Sequence, residues 1–388
     1  MKTTSLITSS TAPTRTSMRL YSNVTVYEES LKRLRYLFDE FEQVVVGFSG
    51  GKDSTVIFNL ALIVAREKHR LPLSVMFIDQ ESELESTVTT VRRVMNHPDV
   101  SPRWYQIPFK LFNATSTVDH WLQCWNPDDE QSWMRPKEPN AITKNVYGTD
   151  RFSKLFERIL SVDFSGVKAC FLGGIRCEES PCRSMAMTQK LTYKALTWGK
   201  RYANPDHFAF YPIYDWSLSD VWKSIHDNAW EYSSHYDSMY RYGIPAGRMR
   251  VSSMIHETGV GNIAMLQEVD PDTYNKLTSR IQGIDMSAKM GREFFPANLP
   301  FMFNTWGEYR DHLLHKLIDN PQWKDRFRRT FKKQDDIYEE AFGASLKKVQ
   351  ISSILTNDWE GLKMHNWLTQ VRRVRHRRVM NAHLATQA

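Results

Sequence analysis

Val44-Val-Val-Gly-Phe-Ser-Gly-Gly-Lys-Asp-Ser-Thr55 is the stretch that decides the fold of this 388-residue chain. Its three valines predict a buried β-strand, and a helical pattern begins soon after two adjacent glycines, Gly50 and Gly51. Glycine lets backbone N–H groups turn towards a ligand, and a helix N-terminus offers unpaired N–H donors and the positive end of its dipole. Lys52 adds a full positive charge. The stretch therefore predicts an anion-binding loop between a strand and a helix.

The residue order of this loop differs from that of a Walker A loop. A Walker A loop needs a glycine five positions before its second glycine and Ser or Thr directly after its lysine, but Val46 and Asp53 stand at those positions. The loop instead resembles the Ser-Gly-Gly-x-Asp-Ser motif of the PP-loop ATP pyrophosphatase superfamily. The matching residues are Ser49, Gly50, Gly51, Lys52, Asp53 and Ser54. A plain Gly-Gly turn between strand and helix is the alternative interpretation.

Hydrophobic periodicity on both sides of the loop predicts alternating strands and helices. Further strands are predicted at 73–78, 103–107, 168–172 and 208–213, and helices at 28–43, 56–68, 87–96, 152–160 and 221–228. This alternation predicts an α/β fold with a parallel sheet of about five strands flanked by helices. The resemblance implies the adenine nucleotide α-hydrolase-like form of that fold. Ligands of such sheets bind beyond the carboxyl ends of the strands.

Composition along the chain suggests three parts. Residues 1–24 are rich in Ser and Thr and predict a flexible N-terminal arm. Residues 25–245 predict the nucleotide-binding α/β domain, interrupted by an irregular insertion at 110–150 that is rich in Trp and Pro. Residues 246–388 predict a mainly helical, basic C-terminal region.

Bulk properties limit the class of protein. A net charge of +7 and a pI near 9.1 suit a protein that handles nucleotide phosphates or nucleic acid. Four cysteines are too few for a disulfide scaffold at this length, so we expect a cytoplasmic protein. No apolar run reaches transmembrane length, so we expect no membrane association.

A second motif follows the predicted strand at 168–172. Its arginines, Arg176 and Arg183, could meet phosphate oxygens from a strand-to-helix turn, or could pair with glutamates in solvent. The block resembles the Gly-x-Arg-x-x-Glu-Ser-x-x-Arg motif of the phosphoadenosine phosphosulfate (PAPS) reductase-like branch of the superfamily. Its matching residues are Gly174, Arg176, Glu179, Ser180 and Arg183. Within this branch the chain is similar to the IbrA-type regulators, whose genetic neighbour is a ParB-like protein.

The resemblance implies a site for an adenine nucleotide. The loop from Ser49 to Ser54 would hold the phosphates, Ile78 and Asp79 would lie near the adenosine, and the second block would close on the phosphate or sulfate side. The branch's reductases carry a catalytic cysteine near the C-terminus, whereas this sequence has none after Cys182. We therefore expect neither thiol-dependent reduction nor an iron–sulfur cluster.

The leading hypothesis is cleavage of ATP between its α and β phosphates, which adenylylates an unknown acceptor. Lys52 would stabilise the departing pyrophosphate, Asp53 would hold Mg²⁺ or fix the loop, and Arg176 or Arg183 would neutralise charge at the α-phosphate.

Two alternatives stay open at this stage. One is a nucleotide-sensing, DNA-associated regulatory protein with a ParB-like partner. It is suggested by two basic clusters, at 324–333 and at Arg372, Arg373, Arg375, Arg377 and Arg378, although either cluster could be a solvated face. The other alternative is adenylation for sulfur transfer to a nucleic acid.

The tyrosines Tyr232, Tyr236 and Tyr240 recur at helical spacing and predict one packed helix face.

Overall fold

A computed structural model describes residues 23–115, 119, 121–256, 262–284, 298–355, 358, 361, 363–369 and 371. At its centre lies strand β1 (Gln43–Gly47), whose three valines are buried as their β-branched run predicts. On one side β1 pairs in parallel with β2 (Leu73–Ile78), which pairs in parallel with β3 (Val100–Tyr105). The carboxyl ends of these three strands therefore lie along one edge of the sheet.

The other half of the sheet also begins at β1. Strand β6 (Ala169–Leu172) pairs in parallel with β1, and β8 (His207–Phe210) pairs in parallel with β6. A three-residue strand, β7 (Gly199–Arg201), closes this side antiparallel to β8. The strand order is β3-β2-β1-β6-β8-β7. The predicted α/β fold with a parallel sheet is confirmed, with one antiparallel strand added at its edge.

Helices cover both faces of the sheet. The α-helices in the described part of residues 23–242 are α1 (Val26–Glu40), α2 (Lys52–Glu67), α3 (Glu85–Met95), α4 (Phe152–Asp163), α5 (Pro181–Thr188), α6 (Leu218–Asp227) and α7 (His235–Arg241). Helix α1 begins at a capping box in which Thr25 and Glu28 each accept a hydrogen bond from the other's backbone N–H. Helix α2 begins four residues before the predicted start at 56. The sequence pattern misses these residues because this polar first turn carries no hydrophobic periodicity.

The period of two along β1 divides the core between the two faces. Val44 and Val46 pack into a first core with the buried sides of α1, α2, α3 and α6. Val45 packs into a second core, on the opposite face, with Leu155 and Ile159 of α4. Each face of the sheet is thus buried, as an all-parallel centre requires.

The insertion at 110–150, predicted as irregular, contains short regular elements. Strands β4 (Phe109–Phe112) and β5 (Trp121–Cys124) form an antiparallel pair, and a 3-10 helix (Pro127–Ser132) follows. The sequence does not reveal the strands because four residues each are too few to establish a period. The pair extends the second core, in which Trp125 is fully buried.

The second core continues beyond the boundary at 245/246 that the sequence suggests. Helices α8 (Ile263–Val269) and α9 (Pro271–Arg280) contribute Leu266 and Leu277 to it, and Met254 joins them. Residues 249–255 and 263–284 therefore pack on the same core as the sheet.

Helices α10 (Trp306–Leu317) and α11 (Pro321–Leu355) have a separate core that includes Phe331 and Ile354. Helix α11 is interrupted at Gly343, where φ is 38° and ψ is −114°. Lys347 lies 2.7 Å from Asp335, so the chain reverses direction at this glycine. Every helix in the described ranges is too short or too polar to span a bilayer.

Candidate nucleotide-binding site

The predicted phosphate loop connects the end of β1 to the start of α2. Gly50 has φ +72°, and a Cβ atom there would lie 2.7 Å from Cγ2 of Thr87, so only glycine satisfies both constraints. Gly51 is the N-cap of α2, and no side chain caps this helix end. The N–H of Lys52 donates to the hydroxyl of Tyr236, and the next N–H groups of the first turn of α2, those of Asp53 and Ser54, are therefore available to an anion.

The second block lies directly against this loop. It follows β6, the parallel neighbour of β1, so both loops leave the same edge of the sheet. A Cβ atom on Gly174 would lie 2.8 Å from the backbone carbon of Asp53 and 2.9 Å from its oxygen. The two predicted motifs, 120 residues apart in sequence, thus form one site, and their close approach requires glycine at position 174.

Asp53 joins the two motifs electrostatically. Its Oδ1 accepts a hydrogen bond of 2.7 Å from Nε of Arg176, and its Oδ2 lies 3.1 Å from Nζ of Lys52. Arg176 also donates from Nη1 to Glu178 at 2.8 Å. Both carboxylate oxygens of Asp53 meet cations, so a Mg²⁺ ion there would share the carboxylate with Lys52 and Arg176, and the role of Asp53 as a Mg²⁺ ligand stays a prediction. No cluster of three metal-binding His, Cys, Asp or Glu side chains occurs in the described ranges.

A cavity of about 440 Å³ opens beside the two loops. Eight predicted site residues line it: Ser49, Gly51, Lys52, Asp53, Ser54, Ile78, Gly174 and Glu179. Five others lie outside the lining: Gly50, Asp79, Arg176, Ser180 and Arg183. Five of the six residues of the phosphate loop therefore line the cavity, whereas neither arginine of the second block does, since Arg176 is buried and Arg183 is exposed.

The second block is held together by its own contacts. Arg183 forms an ion pair with Glu179 one turn away. Ser180 is the N-cap of α5, and its hydroxyl accepts the N–H of Arg183 at 3.2 Å. The block thus presents Glu179 and Gly174 to the cavity and keeps Arg183 at its margin.

Asp79, predicted near the adenosine, is fully buried and does not reach the cavity. Its Oδ2 accepts hydrogen bonds of 2.9 Å from Trp104 and from Gln106, and its Oδ1 accepts one of 2.5 Å from Arg135. The backbone N–H of Glu81 donates to Oδ1 as well, at 2.9 Å. Asp79 therefore organises the turn after β2, and its neighbour Ile78 contributes to the cavity wall.

Lys52 is almost completely buried beside Tyr236. Burial lowers the pKa of Lys52, while the charge of Asp53 acts in the opposite direction. The backbone N–H of Lys52 donates to the Tyr236 hydroxyl at 3.1 Å, and its Nζ lies 5.6 Å from the centroid of the Tyr236 ring. Tyr236 thus supports the phosphate loop from helix α7.

Several residues line the cavity although no sequence pattern assigned them to the site. They are Glu83, Phe152, Phe156, Lys200, Tyr202, Tyr211, Tyr236 and Arg250. Burial, and then the charge of Asp79, raise the pKa of Glu83 to about 8.

Of the three tyrosines predicted to share one packed face, Tyr236 is buried, but Tyr240 is 75% exposed, so that prediction is wrong at Tyr240. Helix α7 is only seven residues long, so Tyr232 lies before it and Tyr240 lies in its last turn.

A parallel α/β sheet with this loop at the end of its first strand defines the class of PP-loop proteins. The chain belongs to the family described as the phosphoadenosine phosphosulfate reductase domain, which matches residues 43–242. This confirms the predicted resemblance. Residues 243–383 match a second family, described as a domain of unknown function, DUF3440.

The chain is also similar to individual proteins. It is 26% identical over 270 residues to the uncharacterized protein YbdN of Escherichia coli (strain K12), a match that covers 67% of this chain and 66%, just under two thirds, of YbdN. Similar solved structures include FMN adenylyltransferase of Candida glabrata, with 13% identity, a TM-score of 0.35 and coverage of 56% of this chain and 62% of that one. PAPS reductase from Candida auris has 15% identity and a TM-score of 0.29, with coverage of 54% and 84%.

Proposed function

We propose that the chain binds ATP, or a related adenine nucleotide, and cleaves ATP between the α and β phosphates to adenylylate an acceptor. The observation that carries this proposal is the junction of the two motifs through Asp53 at the edge of one cavity. About 440 Å³ lies within the range of small-molecule sites. The family membership supports the same class of ligand.

The phosphate loop would bind the part of ATP that leaves as pyrophosphate. Backbone N–H groups at the start of α2 would donate to the phosphate oxygens, and Lys52 would compensate the charge that develops on the leaving group. Ser49 and Ser54 line the cavity beside them, with their hydroxyl oxygens 3.1 Å apart. These groups are fixed before the ligand arrives, which lowers the cost of reorganisation during the reaction.

Asp53 and Arg176 act in this proposal as positioning residues. The ion pair between them fixes the start of α2 against the Gly174 loop. Arg183, paired with Glu179 at the margin of the cavity, is the arginine of the second block that could approach the α-phosphate. No step is assigned to a Mg²⁺ ion at Asp53, whose carboxylate already pairs with Lys52 and Arg176.

The proposal is tested by the products formed from ATP. ATP labelled at the α or the γ phosphate is incubated with the protein and candidate acceptors, and labelled AMP or an adenylylated acceptor should appear together with pyrophosphate. Formation of ADP with orthophosphate would contradict cleavage between the α and β phosphates. Lys52→Met should abolish turnover, whereas Lys68→Met, which removes a surface lysine paired with Asp39 at the other end of α2, should retain it.

A nucleotide-sensing, DNA-associated role is the second candidate. On α11, Phe327 and Phe331 are buried while Arg328, Lys332 and Lys333 are exposed, so the first basic cluster lies on a solvent-facing side. The second cluster, Arg372 to Arg378, lies outside the described residues. If DNA binds at α11, its affinity should fall steeply with salt, and Lys332→Glu with Lys333→Glu should weaken it for all sequences. The ParB-like partner and sulfur transfer to a nucleic acid rest on the resemblance alone.

A further inference from the structure

The second family region contributes part of the cavity wall. Residues 250–252 line the cavity together with the phosphate loop, although the family boundary falls at 242/243. The Cγ2 atom of Val251 lies 3.6 Å from the position that a Cβ atom on Gly51 would take. The segment that carries Arg250 therefore passes directly beside the N-cap of α2.

Buried contacts fix the position of this segment. The hydroxyl oxygens of Ser253 and Ser82 lie 2.6 Å apart, and both residues are buried. The N–H of Ala114 donates to the backbone oxygen of Ile255 at 2.9 Å. Val251, Met254 and Ile255 belong to the second core. Arg250 is thus presented from a packed support, and its side chain is half-buried.

The cations around the phosphate loop differ in how they are neutralised. Lys52 and Arg176 share the carboxylate of Asp53, and Arg183 pairs with Glu179. Within the described part of the chain, Arg250 has no carboxylate within ion-pair distance. Burial lowers the pKa of Lys52 and of Arg183, and the charge of Arg250 lowers both further. Like charges at such range are repulsive, so the site without a ligand carries positive charge that only an anion would compensate.

We propose that Arg250 is a phosphate-binding residue, through which the second family region completes the nucleotide site. Its guanidinium would donate to oxygens of the phosphate chain in charge-assisted hydrogen bonds. The inference rests on the proposed nucleotide ligand but not on its cleavage. It also gives residues 249–256 a role in ligand binding in addition to their packing in the second core.

Removing the charge of Arg250 should affect the stability of the ligand-free protein and its stabilisation by ATP in opposite directions. Arg250→Met relieves repulsion with Lys52 and Arg183, so the melting temperature of the ligand-free protein should stay the same or rise. The same variant loses its hydrogen bonds to phosphate, so the rise in melting temperature on adding ATP should shrink. A residue that serves only structure would lower the melting temperature of the free protein instead.

The experiment compares wild type, Arg250→Met, Arg250→Lys and Arg248→Met in equilibrium binding of ATP, pyrophosphate and adenosine. Arg248 is a matched control because it lies two residues away, is exposed and does not line the cavity. We expect Arg250→Met to weaken ATP and pyrophosphate by roughly ten- to a hundredfold. Arg250→Lys should retain part of the affinity, and Arg248→Met and all adenosine measurements should stay near wild type.

Unchanged affinity of Arg250→Met for ATP would overturn the proposal, as would an equal loss for adenosine. The binding readout also separates this inference from the proposed reaction. Weakened phosphate binding without pyrophosphate release would leave the role of Arg250 standing and remove the proposed cleavage. If Arg250→Met binds ATP normally and pyrophosphate is released, the role of Arg250 is removed and the proposed cleavage stands.

Discussion

Nε of Arg176 donates a 2.7 Å hydrogen bond to Oδ1 of Asp53, and this contact joins the loop after β1 to the loop after β6. The other oxygen of Asp53 lies 3.1 Å from Nζ of Lys52. One carboxylate therefore compensates two buried cations and fixes the relative position of both motifs. Removing its charge should affect stability as well as binding.

Asp53→Asn should lower the free energy of unfolding by about 3 kcal/mol, because Lys52 and Arg176 would remain buried without their shared counter-charge. Urea denaturation at neutral pH measures the change. Asp39→Asn is the matched control, since Asp39 pairs with Lys68 at the surface and should change stability by less than about 1 kcal/mol. Equal effects of the two variants would show that the Asp53 contacts contribute no more than a surface pair.

Gly174→Ala should separate the two loops, because its Cβ would lie 2.8 Å from the backbone carbon of Asp53, and backbone cannot yield as a side-chain tip can. We expect a loss of about 1 to 3 kcal/mol in stability and weaker ATP binding. Gly247→Ala provides the control, since no atom lies within 4 Å of a Cβ there. Wild-type binding and stability in Gly174→Ala would contradict the close approach of the two loops.

Glu83 should make stability depend on pH. Its pKa is raised to about 8 in the folded protein from an ordinary value of 4.5, so the folded state binds the proton more tightly than the unfolded state does. The resulting stabilisation is complete below about pH 4.5 and is lost as pH rises towards 8, by at most about 1.4 kcal/mol per pH unit.

Glu83→Gln removes this titration, so its stability relative to wild type should increase steadily between pH 5 and 8. Urea denaturation at pH 5, 6, 7 and 8 tests this expectation. Glu85→Gln, two residues away and exposed, should give a difference from wild type that changes little with pH. Parallel pH profiles for Glu83→Gln and wild type would exclude a raised pKa at Glu83.

Arg280 and Glu81 should couple the two family regions. Nε of Arg280, in α9, donates a 2.6 Å hydrogen bond to the fully buried carboxylate of Glu81. Arg280→Met leaves that carboxylate buried without its cation, although the N–H of Trp125 still donates to it, so we expect a loss of about 3 to 5 kcal/mol. The double variant Glu81→Gln/Arg280→Met should recover part of the loss, and additive single effects in this cycle would show that the pair is not coupled.

The sequence predicts the centre of the fold and the phosphate loop because both depend on local patterns. The valines of β1 and the residues at 73–78 form continuous apolar runs, and the glycines at 50 and 174 mark positions where a side chain does not fit. Strand β7 could not be predicted in this way, since three residues establish no period.

Side-chain direction and long-range contacts are the parts that sequence does not supply. Asp79 does stand at the end of a strand, as predicted, yet Trp104, Gln106 and Arg135 bind its carboxylate from distant positions. Tyr236 and Arg250 reach the phosphate loop only because the chain beyond residue 230 folds back onto it. No motif near either residue indicates this contact.

The second core is shared by both family regions, and this limits where recombination could separate them. Met254, Leu266 and Leu277 pack in the same core as Val45 of the central strand, although they lie beyond the family boundary at residue 242. A recombination event at that boundary would divide one hydrophobic core between two genes, and each product would expose the apolar surface that the other part covers. Residues 249–255 and 263–284 of the second region therefore have to be inherited together with the α/β fold, whereas the helices from Trp306 onward have a core of their own.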